Sequence, residues 1–296
     1  MKRSIQTLAI LTLFALFAAN ALAQVPQSPP LPILRSPRLS QGQKITQVVG
    51  LSDVTIYYHR PGVKGRTIFG AKGSGALLPY GEIWRAGANE PTLFTFSDEV
   101  TIMGKKLSAG TYRFVAIPGE KEWSLVFNTE IKNWGTIYEA SFDTLRFPVT
   151  PQQAPHEEWM SFSFTDLSPT SATVVLAWEK VRVAFKIEFN LLTKLQASIG
   201  GWQVSSSAAR YAVDNNIYPA EAMEWIDRSL ALNRNFSNLR TKAELLALNG
   251  KTGEAIAAGE EGLKLIRSGD PAKLTQTQKT QIGDTEKLLA QWKNKK

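Results

Sequence analysis

The sequence predicts an α+β chain in two parts, an antiparallel β-sandwich of jelly-roll-like type followed by an all-α domain. Two observations carry this. Between Gln43 and Phe189 apolar residues recur with period two, and after Asn190 the period lengthens to 3.6. Short strands separated by turn residues, with no helical stretch between them, argue a sandwich rather than alternating βαβ units.

Ahead of both parts, Lys2 and Arg3 precede an apolar run over residues 8–19 and the small-x-small triplet Ala21-Leu22-Ala23. A basic flank, an apolar centre and a small-residue site make residues 1–23 a signal peptide, with cleavage expected after Ala23. The run falls short of the roughly 20 apolar residues that cross a bilayer, so no transmembrane segment is expected after cleavage. The expected location is the periplasm or the outer surface. Residues 24–42 hold Pro26, Pro29, Pro30, Pro32 and Pro37, which deny donors to a ladder and favour an extended linker.

The β domain is expected over residues 43–190. Val54, Ile56 and Tyr58 alternate with Thr55, Tyr57 and His59; Phe94 and Phe96 flank Thr95; Tyr112, Phe114 and Ala116 alternate with Arg113, Val115 and Ile117. Further strands are read over 123–128, 160–164, 172–178 and 181–189, the last with Val181, Val183, Phe185, Ile187 and Phe189 on one face. Met103-Gly104-Lys105, Ala109-Gly110, Pro118-Gly119-Glu120 and Ser168-Pro169-Thr170 supply turn chemistry between strands.

The helical domain is expected over residues 191–296. Ala222, Trp225, Ile226, Ser229 and Leu230 fall on one helical face, as do Ala255, Gly259, Gly262, Leu263 and Ile266. The second set follows the first by 33 residues, and Ala243 and Leu246 follow Ala209 and Ala212 by 34. Small residues at that period are tetratricopeptide-like, because they let paired helices approach closely. Most of the signature aromatics and glycines are missing, so a plain helical hairpin bundle stays as the alternative. Asn249-Gly250 is expected to end one helix and Asp270-Pro271 to start another. A last helix with Ile282, Leu288, Leu289 and Trp292 on one side caps the stack.

Composition excludes several classes of function. The chain has no cysteine, which removes disulfides, thiol catalysis and thiolate-bound metals. Its net charge of +8 is dispersed, with no run of five Lys or Arg, and together with export this argues against nucleic acid and for an anionic glycan or lipid surface. No nucleophile elbow, dinucleotide fingerprint or His-Glu-x-x-His helix is present. Gly70-Ala71-Lys72-Gly73-Ser74-Gly75 has only the composition of a phosphate loop, its lysine preceding the second glycine. His156-Glu157-Glu158 is read as a solvated loop; on a strand, at most two of the three share a face. No cofactor and no metal site are expected.

One region mixes aromatics, cations and glycines. Tyr57, His59, Arg60, Lys64 and Arg66 lie in its first half, and Trp84, Arg85, Asn89 and Glu90 in its second. Arginine supplies forked donors, the aromatic rings supply flat faces and glycine lets a backbone come close, a mixture suited to an anionic or sugar-like ligand. The same residues also serve as turn and structural residues, with Arg85 and Glu90 paired.

The strings Gly50-Leu51-Ser52-Asp53-Val54-Thr55-Ile56-Tyr57-Tyr58-His59-Arg60-Pro61, Trp84-Arg85-Ala86-Gly87-Ala88-Asn89-Glu90, Ser108-Ala109-Gly110-Thr111-Tyr112, Asn133-Trp134-Gly135 and Trp178-Glu179-Lys180-Val181-Arg182-Val183 resemble the exported bacterial family called domain of unknown function 2911. The resemblance spans about residues 36–190. It implies a Bacteroidetes-type source, often a helical tail, and recurrence of the Tyr-His-Arg-Pro and Trp-Arg-x-Gly-Ala-Asn-Glu segments, which are expected to face each other at one rim. It implies no activity.

Two classes of function fit. The first is a non-catalytic binding or scaffold protein, whose rim takes a glycan or anionic small ligand and whose helical tail docks a protein partner. The second is a hydrolase or isomerase with His59 as general base, Glu90 or Glu82 as acid, and Arg85 stabilising an oxyanion. The missing catalytic motifs favour the first.

Overall fold

A computed structural model describes residues 37–133 and 137–294; the expected signal peptide and most of the expected linker lie outside these. Six strands form the first sheet, in the order β1 (Gly42–Val49), β2 (Ser52–His59), β5 (Thr92–Phe96), β8 (Gly110–Ile117), β9 (Trp123–Asn128) and β10 (Asp143–Val149), every pair antiparallel. The second sheet holds β11 (Gln152–Thr165), β12 (Ser171–Phe189), β6 (Val100–Ile102) and β7 (Lys105–Leu107), in that order. A short parallel pair joins β3 (Phe69–Gly70) to β4 (Leu78–Pro79). The connectivity is a meander in which the β6–β7 hairpin crosses to the other sheet, in place of the crossed connections of a jelly roll.

The alternation read in the sequence decides what each face does. Val54, Ile56, Phe94, Phe96, Phe114 and Phe127 point inward from the first sheet, and meet Phe162, Phe185 and Ile187 of the second in one core. Phe114 stacks on Phe185 at 5.8 Å across the two sheets, and Phe94 meets Phe162 edge-on at 5.6 Å. Tyr58 ties the layers at a corner: its hydroxyl accepts the Phe162 N–H at 2.9 Å and donates to Gln43 Oε1 at 2.6 Å.

Two strand readings change. Residues 172–178 and 181–189 are one strand, β12, of 19 residues. Its inward set switches from even numbers (Val174, Leu176, Trp178) to odd (Val183, Phe185, Ile187) at Glu179, whose φ of +57° and shifted register against β11 mark a bulge. One extra residue on one strand flips the parity of the rest. Strand β10 was not expected, although Leu145, Phe147 and Val149 alternate; its Pro148 is tolerated at the sheet edge. His156-Glu157-Glu158 lies on β11 rather than in a loop, with His156 Nε2 and Glu158 Oε2 3.6 Å apart on one face.

Six helices follow: α1 (Leu191–Ser198), α2 (Trp202–Asn215), α3 (Pro219–Leu232), α4 (Phe236–Leu248), α5 (Thr252–Arg267) and α6 (Gln276–Asn294). The sheets and helices belong to one compact unit, residues 39–296. Lys194 of α1 holds the junction by donating to Leu51 O and pairing with Asp98, each at 2.6 Å. Helix α2 packs on α3, and α4 on α5, as two antiparallel pairs. The small residues do what the 33-residue offset implies: Ala222, Ala255, Gly259 and Gly262 are buried. Asn249-Gly250 ends α4 as expected, with Gly250 at φ +74°. Asp270-Pro271 opens only a single 3-10 turn, Pro271–Lys273, and α6 begins at Gln276.

Candidate functional site

The two segments singled out in the sequence meet at the end of β2. The Ala88 N–H donates to His59 O at 3.2 Å, and the His59 Nε2 lies 3.3 Å from Glu90 Oε2. A side chain at Gly87 would press on Thr92 Oγ1 at 2.8 Å and His59 O at 3.1 Å, so the close approach of the loop requires glycine there. Asn89, at φ +57°, donates from its side chain to Ser40 O at 2.9 Å.

Most of the predicted residues are held by the fold itself. Beyond His59 the chain crosses to the second sheet, where Val63 N donates to Glu158 O at 2.8 Å and Met160 N to Pro61 O at 3.0 Å. Arg60 clamps that crossing, its Nε donating to Met160 O at 2.8 Å. Lys64 sits over the Trp159 ring, 5.7 Å from its centroid. Arg66 donates to Gly62 O at 2.6 Å and Val63 O at 3.1 Å. Tyr57 stands on the exposed face with its ring edge-on to His59 at 5.5 Å. Glu82 pairs with Lys72 at 3.1 Å in solvent. The turn at Gly70–Gly75 leads into β4, not into a helix. Among the described residues no three His, Asp or Glu come together as a metal site.

Trp84 occupies the core. Its backbone exchanges two 2.8 Å hydrogen bonds with Ala116, its indole N–H donates to Gly87 O at 3.0 Å, and its ring stacks on Trp178. That bridge continues the ladder of β8 one step past β5, so successive residues alternate faces and Arg85 leaves the core that Trp84 enters.

A cleft of about 530 Å³ opens beside this bridge. Arg66, Trp84, Arg85, Tyr138 and Trp178 line it together with Ser40 and apolar residues such as Leu78 and Ile83, and no carboxylate among the described residues does. Three of the predicted residues therefore share a cavity, namely Arg66, Trp84 and Arg85; Tyr57, His59, Arg60, Lys64, Asn89 and Glu90 do not line it. Arg85 is half-buried and makes no ion pair or hydrogen bond among the described residues. Burial pushes its guanidinium below the ordinary arginine value. Burial lowers Arg113 of β8 as well; the Glu130 carboxylate opposes that shift and the like charge of Arg85 adds to it.

Tyr138 is a cleft residue that sequence reading missed. Its hydroxyl donates to Asp143 Oδ2 at 2.6 Å and accepts from Arg146 at 2.7 Å, while Asn128 donates to the other Asp143 oxygen at 2.9 Å. Burial first, and then the Asp143 carboxylate, push the phenol up to about 12. No alternation or motif marks Tyr138, although its partners Asp143 and Arg146 follow it closely on β10.

The helical domain carries a second, larger depression of about 620 Å³ between α2, α4 and the start of α6. Its cations are matched internally: Arg234 pairs with Glu261, while the neighbouring Arg210 pairs with Asp214 and Glu244. The β-domain cleft, where Arg85 has no counter-ion among the described residues, is the stronger candidate for a charged ligand.

The family model for protein of unknown function (DUF2911) matches residues 40–187, which takes in every strand except the last residues of β12. No curated protein and no solved structure matches the chain.

Proposed function

The chain belongs to the DUF2911 family, and from that footing we propose that it is an exported, non-catalytic binding protein whose β-domain cleft takes a glycan or anionic small ligand. The observation that carries this reading is Arg85, a half-buried guanidinium that has no counter-ion among the described residues, in a cavity that no described carboxylate lines. Desolvating a charge without a partner is unfavourable, and an anionic ligand relieves the cost. The cavity volume lies within the range usual for small-molecule sites. In the same reading the groove between α2 and α4 docks a protein partner, and residues 1–23 direct export to the periplasm or outer surface.

A thermal-shift screen of the purified protein against neutral sugars, acidic sugars and small inorganic anions tests the cleft. Ligands that raise the melting temperature of the wild type and not of Arg85→Ala support it. A panel in which nothing stabilises the wild type, or in which every hit acts equally on Arg85→Ala, defeats it. Recovery of a tagged full-length chain in the cytoplasm, still carrying residues 1–23, would defeat the exported part.

The contact between His59 and Glu90 favours a second reading, a hydrolase or isomerase using that pair as base and acid. It requires substrate to reach His59, which is 5% exposed and does not line the cleft of Arg85. Loss of a measurable turnover in His59→Gln with ligand binding intact would favour it over the first.

A further inference from the structure

The donors and acceptors around the cleft narrow the ligand further, on the premise that this cleft is the binding site. Two groups have hydrogen-bonding capacity to offer a ligand. Arg85 has all its donors unspent on the described residues. Trp178 lines the same cleft, but its indole N–H is buried out of contact with solvent, so the ring serves as wall rather than as a donor. Tyr138 is the opposite case to Arg85: its single proton is committed to Asp143 and one lone pair to Arg146, so it has only a lone pair to offer. A ligand that meets both presents an anionic oxygen pair to the arginine and a hydroxyl hydrogen to the tyrosine.

We infer that the cleft recognises a carboxylated sugar, with the carboxylate on Arg85 and a ring hydroxyl donating to Tyr138. A planar carboxylate suits one guanidinium fork, and carries the single charge that one unmatched arginine balances. Phosphate fits less well, since Arg66 already spends donors on Gly62 O and Val63 O, and no lysine lines the cavity. The apolar part of the lining, Leu78 and Ile83 with the edges of Trp84 and Trp178, suits the C–H face of a pyranose.

Isothermal titration at low ionic strength with cellobiouronic acid, cellobiose and inorganic phosphate tests this, because the first two differ by one carboxylate. The wild type should bind the acid at least about tenfold more tightly than cellobiose or phosphate. Arg85→Ala should remove that preference, and Arg85→Lys, which keeps the charge and loses the fork, should weaken the acid by about tenfold. Tyr138→Phe should weaken both disaccharides by a similar factor of about three to ten, because it takes away a hydroxyl acceptor and no charge. Melting curves of each variant establish that it is folded. Equal binding of cellobiose and the acid, or an unchanged affinity in Arg85→Lys, overturns the inference. Phosphate bound in an Arg85-dependent way without the acid overturns the carboxylated sugar and leaves the anion-binding cleft standing. No binding of any of the three overturns it also, and the wider ligand screen then decides whether the cleft is a site at all.

Discussion

Trp84 and Trp178 stack with centroids 5.6 Å apart and planes 24° from parallel, although one sits on an isolated bridge beside β8 and the other on β12 of the opposite sheet. Trp123 and Phe69 close around the pair edge-on. The stack therefore forms one wall of the cleft and part of the core at once. Trp84→Ala should lower stability by about 3–5 kcal/mol, the range for deleting a large buried aromatic. Urea unfolding followed by fluorescence checks it; a loss under 1 kcal/mol would place the ring outside the core.

Arg60 and Arg85 were equivalent candidates in the sequence, and the fold separates them. Arg60→Ala leaves the buried Met160 carbonyl without its side-chain donor and should cost about 1–3 kcal/mol. Arg85→Ala removes a charge that no described residue balances and should leave stability within about 0.5 kcal/mol of the wild type, or raise it. Denaturation midpoints of the two variants side by side test the distinction.

Tyr138 makes folding sensitive to high pH. Its folded value of about 12 exceeds the ordinary value of 10.0, so the stability it contributes is complete below pH 10 and is lost as pH rises toward 12. A titration of tyrosinate absorbance should show one phenol ionising late, and Tyr138→Phe should lack that step. Persistence of the late step in Tyr138→Phe would assign it to Tyr58, Tyr112 or Tyr218, whose hydroxyls burial also raises.

The close approach of α4 and α5 rests on Gly262, where an added Cβ would lie 3.2 Å from Leu239 Cβ and 3.4 Å from Phe236 Cδ2. Gly262→Leu should separate the two helices and destabilise by about 1–3 kcal/mol. Gly253, with nothing near an added Cβ, is the control, and Gly253→Ala should be neutral or slightly stabilising. Thermal melts of both variants check the contrast.

Periodicity made most of the fold legible. The inward faces of β2, β5 and β8, and the buried stripe Ala222, Trp225, Ile226, Ser229 and Leu230, can be read directly from spacing. What escaped rests on features that alternation does not record. The bulge at Glu179 shows in the sequence as two strands, because one inserted residue shifts the alternation out of phase. Trp84 reads as a stacking platform from its arginine and glycine neighbours, and only its pairing with Ala116 places it in the core. Of the site, Arg66 and Arg85 were visible as cations among aromatics, whereas Tyr138 and Trp178 join the cleft through contacts with β10 and across the sandwich that no alternation or motif records.

A crystal structure of the protein soaked with cellobiouronic acid tests the central claim most directly. Density in the cleft with carboxylate oxygens about 2.7–2.9 Å from the Arg85 guanidinium, and a sugar hydroxyl on Tyr138, is the expected result. An empty cleft beside ligand bound elsewhere, or Arg85 turned out to solvent with the sugar held by other groups, would contradict it.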